Sequence, residues 1–127
     1  MPFSDFTIIS TYTRADALAD GVLIDITPTA QTYGFKLPFA ISDALYHGYM
    51  MPPEGLLGQG QSLEGRMHDL LTLAMVAARG CRDGNRIELE ALFLMRPGQL
   101  EKVRCVLHVG PGDEGEAVLT LMLPEDE

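Results

Sequence analysis

Residues 63–79, LEGRMHDLLTLAMVAAR, form the longest segment of this chain with an unbroken helical period. The apolar residues of the segment recur at spacings of three and four, which places them on one stripe of a helix: Leu63, Met67, Leu70, Leu71, Ala74, Ala77 and Ala78. Ser62 can cap the start of this helix, and Gly80 can end it in a left-handed turn. We therefore predict one amphipathic helix that buries its apolar stripe against a sheet.

Three segments after this helix alternate between apolar and polar residues, as strands do. They cover residues 87–95, 103–109 and 117–123, and turn-forming residues separate them. Leu92 and Leu94 interrupt the polar face of the first segment, which predicts that its second half is covered on both faces. The pattern as a whole predicts a three-stranded antiparallel meander in the order 1-2-3.

The first half of the chain predicts short helices that end at glycines. Thr13 and Asp16 have the spacing of a capping box, which opens a helix over residues 14–20. The apolar residues 22–26 that follow fit either a short buried strand or a lead into the next cap. Thr27 before proline predicts a second short helix.

Residues 41–49 predict a third helix, and residues 7–11 are a candidate edge strand. We therefore expect a single α+β domain over residues 1–127, in which helices pack on a three-stranded antiparallel meander. A strand from the N-terminal region is a possible addition to that sheet.

The composition is that of a globular protein, with 46% hydrophobic and 21% charged residues. No apolar run approaches the roughly 20 residues that span a bilayer, and residues 1–6 lack the features of a signal peptide. We expect a cytoplasmic protein without membrane contact. The two cysteines have no metal-binding spacing, so we expect reduced thiols, with Cys105 in the core.

Nine basic and eighteen acidic side chains give a net charge of −9. This charge repels phosphate backbones and therefore disfavours direct binding of nucleic acid. The acidic residues concentrate in Asp113, Glu114 and Glu116 and in the tail 125–127. We predict that the tail is solvated and serves solubility, and that the first three are candidate contact residues.

No catalytic or metal-binding motif is present in the sequence, so we predict no catalytic residue, metal or cofactor. Asp43 and His47 can form an ordinary helix-surface pair. Arg14 and Arg66 are predicted to be solvated helix residues. Leu56 and Leu57, in a loop rich in glycine and proline, have two open interpretations: an exposed partner-binding surface, or a loop that folds back onto the core.

Two stretches carry a family resemblance. Residues 12–25, YTRADALADGVLID, and residues 110–116 with 120–126, GPGDEGE and TLMLPED, resemble a family of small proteins of unknown function. Members of this family are encoded on bacterial plasmids, integrative elements and phages. The resemblance implies an accessory protein of a mobile element and does not imply a chemistry.

The matching positions also predict one polar cluster. It consists of Tyr12, Arg14, Asp20 and Asp25, with Asp113 and Glu116 nearby. Both stretches are equally explained as fold-defining structure, a capped helix and a hairpin loop.

The favoured function is non-enzymatic: regulation through contact with a protein partner. In its sharpest form, the acidic surface mimics nucleic acid and occupies a basic site on a host defence or DNA-processing protein, as anti-restriction and anti-CRISPR proteins do. The alternative is a small enzyme or ligand-binding domain that uses the polar cluster. The third interpretation is a homo-oligomer joined through the open sheet edge or through exposed Leu56 and Leu57.

Overall fold

A computed structural model describes residues 12–56, 60–80 and 84–127. The helices are α1 (Arg14–Ala19), α2 (Thr27–Gln31), α3 (Asp43–Leu45) and α4 (Leu63–Gly80). The strands are β1 (Leu23–Asp25), β2 (Phe39–Ser42), β3 (Arg86–Arg96), β4 (Gln99–Pro111) and β5 (Ala117–Met122). A π-helical turn over Tyr46–Met50 continues α3, and short 3₁₀ turns cover Glu54–Leu56 and Pro124–Asp126.

The five strands form one mixed sheet in the order β1-β2-β5-β4-β3. The meander β3-β4-β5 is antiparallel, as the sequence predicts. The sheet is nevertheless wider than predicted, because β2 pairs in parallel with β5 and β1 pairs antiparallel with β2. The candidate strand over residues 7–11 lies outside the described residues.

The start of the predicted third helix is strand β2 instead. All four residues of Phe39–Ser42 are buried, and the strand lies between two others. A strand covered on both faces has no alternation of apolar and polar residues, so its sequence cannot be told from that of a buried helix. Helix begins only at Asp43, where the Ser42 hydroxyl accepts a hydrogen bond from the Leu45 N–H.

The central helix α4 matches its prediction closely. Leu70, Leu71 and Ala74 are fully buried against the sheet, and Ser62 Oγ accepts the N–H of Gly65. Two details differ: Gly80 is the last helical residue rather than a left-handed cap, and Arg66 belongs to the buried stripe. Within the described ranges, no helix has the length and hydropathy needed to cross a membrane.

The capping box of α1 is confirmed. Thr13 Oγ1 accepts the N–H of Asp16, and the Asp16 carboxylate accepts the N–H of Thr13. Gly21 follows the helix at φ 78°, a conformation that side chains with a Cβ rarely adopt. Of the two interpretations of residues 22–26, the short strand applies, since Leu23–Asp25 is strand β1. Helix α2 has a proline in its first turn.

Arg66 connects three parts of the fold, although we predicted a solvated side chain. Its guanidinium donates to the carbonyl of Tyr49 at 2.6 Å, to the carbonyl of Leu94 and to Gln61. Only 4% of Arg66 is exposed. The prediction failed because these acceptors lie far away in sequence, although position 66 does share the spacing of the buried stripe.

Candidate functional site

The loop between β4 and β5 caps the start of α1. Asp113 accepts the backbone N–H of Arg14 at 2.7 Å and that of Ala15 at 2.9 Å. A carboxylate here satisfies N–H groups that have no partner inside the helix and complements the helix dipole. The two stretches that carry the family resemblance therefore meet in the fold, although Arg14 and Asp113 are 99 residues apart in sequence.

The loop is shaped to place Asp113. The Gly112 N–H donates to the Glu116 carbonyl at 2.6 Å, and Gly115 has φ 83°. The Glu116 carboxylate folds over the loop, where it accepts the Glu114 N–H at 3.0 Å. A Cβ on Gly112 would lie only 2.5 Å from that carboxylate, so a larger residue at this position would displace the Glu116 side chain.

The Arg14 side chain binds the sheet rather than solvent, which corrects its prediction. Its guanidinium donates to the Thr120 hydroxyl and to the Leu119 carbonyl, both at 2.8 Å. Burial lowers the pKa of Arg14, while the charges of Asp113, Asp25 and Glu116 act in the opposite direction. The group stays cationic, because the pKa of arginine starts far above neutrality.

The remaining members of the predicted cluster, Tyr12, Asp20 and Asp25, make hydrogen bonds of their own. Tyr12 donates its hydroxyl to Asp20 at 2.8 Å, and this hydrogen bond raises the pKa of Tyr12. Asp25 accepts the N–H and the hydroxyl of Thr27 at 3.1 and 2.5 Å. The structure thus brings Arg14 near Asp25, Asp113 and Glu116, and it pairs Tyr12 with Asp20.

Together these residues give one end of the molecule a strongly negative surface. We call it the acidic end and define it by the six exposed carboxylates of residues 16–25 and of the β4–β5 loop: Asp16, Asp20, Asp25, Asp113, Glu114 and Glu116. Three of them, Asp25, Asp113 and Glu116, lie near Arg14. The acidic tail does not join it. Asp126 accepts a hydrogen bond from the Ser42 hydroxyl, and Glu127 pairs with Arg86, so these two tail residues are exposed, as predicted, and are also bonded to the fold.

Leu56 is not an exposed contact residue. It is 3% exposed, because the turn over Glu54–Leu56 packs against β3. The second of the two interpretations, a loop that folds back onto the core, therefore applies to Leu56. Leu57 lies outside the described residues.

Exposed leucines occur instead on the meander, where the sequence predicts coverage on both faces. Leu92 is 61% exposed and Leu100 is 63% exposed, whereas Leu94 is half-buried. A groove of about 200 Å³ contacts these three residues and Leu73 of α4. In the sequence, Leu92 is marked by its break in the alternation of apolar and polar residues. The predicted coverage of Leu92 is wrong, because the sequence alone does not show whether another element packs on a given face of a strand.

A second, wider groove of about 580 Å³ lies between α2, the π-helical turn and the start of α4. Asp25, Tyr33, Tyr46 and Glu64 line it together with apolar residues. The Tyr33 hydroxyl is 3.0 Å from Nδ1 of His68. The groove combines apolar floor with hydroxyl and carboxylate groups, which suits a small polar ligand.

His47 and Asp43 form an ordinary surface pair. His47 Nδ1 lies 2.5 Å from the Asp43 carboxylate, and both side chains are exposed, as predicted for a helix-surface pair. In the part of the chain that the structure describes, no three metal-binding side chains are grouped to hold an ion.

Comparison with known proteins gives a family without an assigned activity. The whole chain, residues 1–127, matches the family of unknown function DUF6573. The chain belongs to this family. No curated protein and no solved structure matches the chain.

Membership in DUF6573 covers the helical middle as well as the two ends that carry the resemblance. In the structure, the residues at those ends hold α1 against the loop and the sheet. Family membership therefore assigns no activity to this chain.

Proposed function

We propose that this chain is a non-enzymatic accessory protein of a mobile genetic element that acts by contact with a protein partner. In the sharper form of the proposal, the acidic end mimics nucleic acid and occupies a basic site on a host defence or DNA-processing protein. Anti-restriction and anti-CRISPR activities are the corresponding functional classes. The observation that supports this proposal is the gathering of six exposed carboxylates from two distant stretches onto one end of the fold.

Electrostatics favours a basic partner at this surface. Among the residues that the structure describes, Arg14 is the cation at the acidic end, and its guanidinium is already bonded to the sheet. The exposed carboxylates therefore act together on an approaching surface, and the net charge of −9 adds to their long-range attraction for a basic protein. Such attraction weakens with salt, since the Debye length falls from about 30 Å at 0.01 M to about 8 Å at 0.15 M.

The acidic end is also held in one arrangement before binding. Asp113 is fixed by two backbone N–H groups, and Glu116 is fixed by a third. A preorganised array loses less conformational entropy on binding than a flexible acidic tail. Phosphate groups on a duplex also occupy fixed positions, so a fixed array of carboxylates is a better mimic of nucleic acid than a flexible acidic tail.

The test is affinity capture from a nuclease-treated lysate of the natural host, washed at low and then high salt and read by mass spectrometry. The paired variant Glu114→Gln with Asp20→Asn removes two charges from the acidic end and leaves Asp113 in place. Its control, Glu54→Gln with Glu64→Gln, removes the same charge elsewhere. We expect a salt-sensitive, nucleic-acid-binding partner whose capture falls at least tenfold with the first pair only.

Two results would contradict the proposal. One is the absence of any specific partner at low salt. The other is equal capture by both paired variants, which would show a response to net charge rather than to the acidic end. Asp113→Ala is unsuitable as a probe, because loss of the acceptor for the Arg14 and Ala15 N–H groups costs about 1 kcal/mol of folding stability by itself.

A small enzyme or ligand-binding domain is the second candidate, and the groove of about 580 Å³ favours it. Asp25 links this groove to the predicted polar cluster. Arg14→Ala is a poor probe here, since its side chain holds α1 to the sheet. Tyr46→Phe should abolish ligand-induced stabilisation in a metabolite thermal-shift screen while leaving the melting temperature of the free protein within about 2 °C.

A further inference from the structure

The groove of about 580 Å³ has an apolar floor and aromatic walls. Its floor includes Ile26 and Met67, which are 5% and 7% exposed and belong to the hydrophobic core. Tyr33 and Tyr46 also line it, and both are half-buried. Small-molecule sites are concave and mostly apolar, with a few polar groups that orient the ligand. The groove therefore fits one small molecule with an apolar body.

The charged groups that line the groove are acidic in the part of the chain that the structure describes. Asp25 ends β1 and Glu64 lies in the first turn of α4, so two different elements contribute the carboxylates. Among the described residues, neither a lysine nor an arginine lines the groove. Such a groove attracts a cationic ligand and repels an anionic one.

The two carboxylates differ in their surroundings. The Thr27 N–H and hydroxyl both donate to Asp25 Oδ1, at 3.1 and 2.5 Å, and hold this carboxylate in place. Arg14 is close enough to Asp25 for their charges to interact, so it offsets part of the Asp25 charge. Glu64 is exposed in the first turn of its helix. The attraction for a cation therefore depends more on Glu64, which makes it the better position for a test.

The two tyrosines suit the same kind of ligand. The Tyr33 hydroxyl lies 3.0 Å from His68 Nδ1, and it donates to that nitrogen in the neutral imidazole that carries its proton on Nε2. The Tyr33 oxygen then accepts hydrogen bonds, and an ammonium group only donates them. Tyrosine rings also attract organic cations through their faces. Acceptor oxygens, aromatic rings and carboxylates together favour an amine.

We propose that this groove binds a small organic amine in its cationic form, with the ammonium group at the Asp25 and Glu64 carboxylates and the apolar body over Met67. The proposal rests on the second candidate function, a ligand-binding domain, and names the class of its ligand. Partner capture by the acidic end is a separate measurement, so that function and the amine site can fail independently.

Three probes of similar shape test the class of ligand: phenethylamine is cationic, phenethyl alcohol is neutral and phenylacetate is anionic. Each is titrated at equal ionic strength into the purified, isotope-labelled full chain, and the amide chemical shifts give its location and its dissociation constant. We expect phenethylamine to bind with a dissociation constant of about 1–10 mM, as suits so small a probe, and phenylacetate to bind at least about tenfold more weakly. The shifts should centre on residues 24–33 and 63–67.

Charge removal tests the carboxylates. Glu64→Gln should raise the dissociation constant of phenethylamine at least about threefold and leave that of phenethyl alcohol unchanged. Asp25→Asn keeps an acceptor oxygen for Thr27 and should act in the same direction. Asp69→Asn is the matched control, because it removes the same charge from an exposed position of the same helix that lines the other groove. It should leave the binding of phenethylamine unchanged.

Several results would overturn the amine site. They are equal binding of the neutral or the anionic probe, chemical shifts away from the groove, no binding of phenethylamine up to about 50 mM, and an equal effect of Glu64→Gln and Asp69→Asn. A neutral or anionic compound that stabilises wild type but not Tyr46→Phe would also overturn it, and would still support a ligand-binding domain. The absence of any compound whose binding depends on Tyr46 would contradict the ligand-binding domain itself.

Discussion

Cys105 illustrates how burial changes the chemistry of a single residue. Its free thiol has no exposed surface in the middle of β4, and burial raises its pKa to about 12. The thiolate is the nucleophilic form of cysteine, so this thiol is inert at neutral pH. The core position that the sequence predicts for Cys105 is confirmed.

A pH-dependent contribution to stability follows from this thiol. Because the folded-state pKa is raised, only the unfolded chain ionises Cys105 between about pH 8.5 and 12, and stability falls as the pH rises through that window. Urea unfolding should therefore show a constant difference in the free energy of unfolding between wild type and Cys105→Ala up to about pH 8. At about pH 10, wild type should have lost about 1–2 kcal/mol of stability relative to Cys105→Ala. A difference that stays constant to pH 10 would show that the thiol is not protected from ionisation.

Arg66 links several secondary-structure elements. It lies on α4, but it satisfies carbonyl groups of the π-helical turn and of β3, and its guanidinium is 5.5 Å from the centre of the Phe93 ring. A π-helical turn leaves backbone groups out of the ordinary helical pattern, and an arginine with several donors can satisfy them. One side chain thus joins three elements that are separate in sequence.

Replacing Arg66 by methionine keeps the helix propensity and most of the side-chain length but removes the donors. We expect Arg66→Met to lower the free energy of unfolding by about 2–4 kcal/mol, because the carbonyls of Tyr49 and Leu94 lose a charged donor. Arg79→Met, in the exposed last turn of the same helix, should change it by less than about 0.5 kcal/mol. Chemical denaturation measures both, and equal effects would contradict the bridging role.

Residues 126 and 127 are bonded to two distant strands of the sheet. Asp126 accepts hydrogen bonds from the Ser42 hydroxyl at 2.8 Å and from the Leu123 N–H at 3.2 Å. Glu127 makes a two-point contact with Arg86, at 2.6 and 2.7 Å. These contacts connect the last residues of the chain to β2 in the interior of the sheet and to β3 at its edge.

The neighbouring tail acids provide a comparison at equal charge. Asp126→Ala should lower the free energy of unfolding by about 1 kcal/mol, because Ser42 is almost fully buried and loses its acceptor. Glu125→Ala removes the same charge from an exposed position and should change the free energy by less than about 0.5 kcal/mol. Calorimetric melting compares the two variants. Equal melting temperatures would mean that the tail serves only solubility, as the sequence predicts.

The candidate site was predictable only in part. The grouping of Arg14 with Asp25, Asp113 and Glu116 is present in the structure. What these residues do there was not predictable, because the acceptors of Arg14 are a carbonyl and a hydroxyl on a distant strand. The burial of Leu56 was not predictable for the same reason, since only the fold brings its turn against β3.

The sequence by itself determined α4, the three-stranded meander, the capping box of α1 and the buried thiol. Each of these follows from a period or a spacing within one segment, and neighbouring residues suffice to decide it. Only the tertiary structure decided that Phe39–Ser42 is a central strand, that Arg66 is buried and that Asp113 caps a helix at the other end of the chain. These outcomes depend on partners far away in sequence, whose hydrogen-bonding groups come within reach only after the sheet has formed.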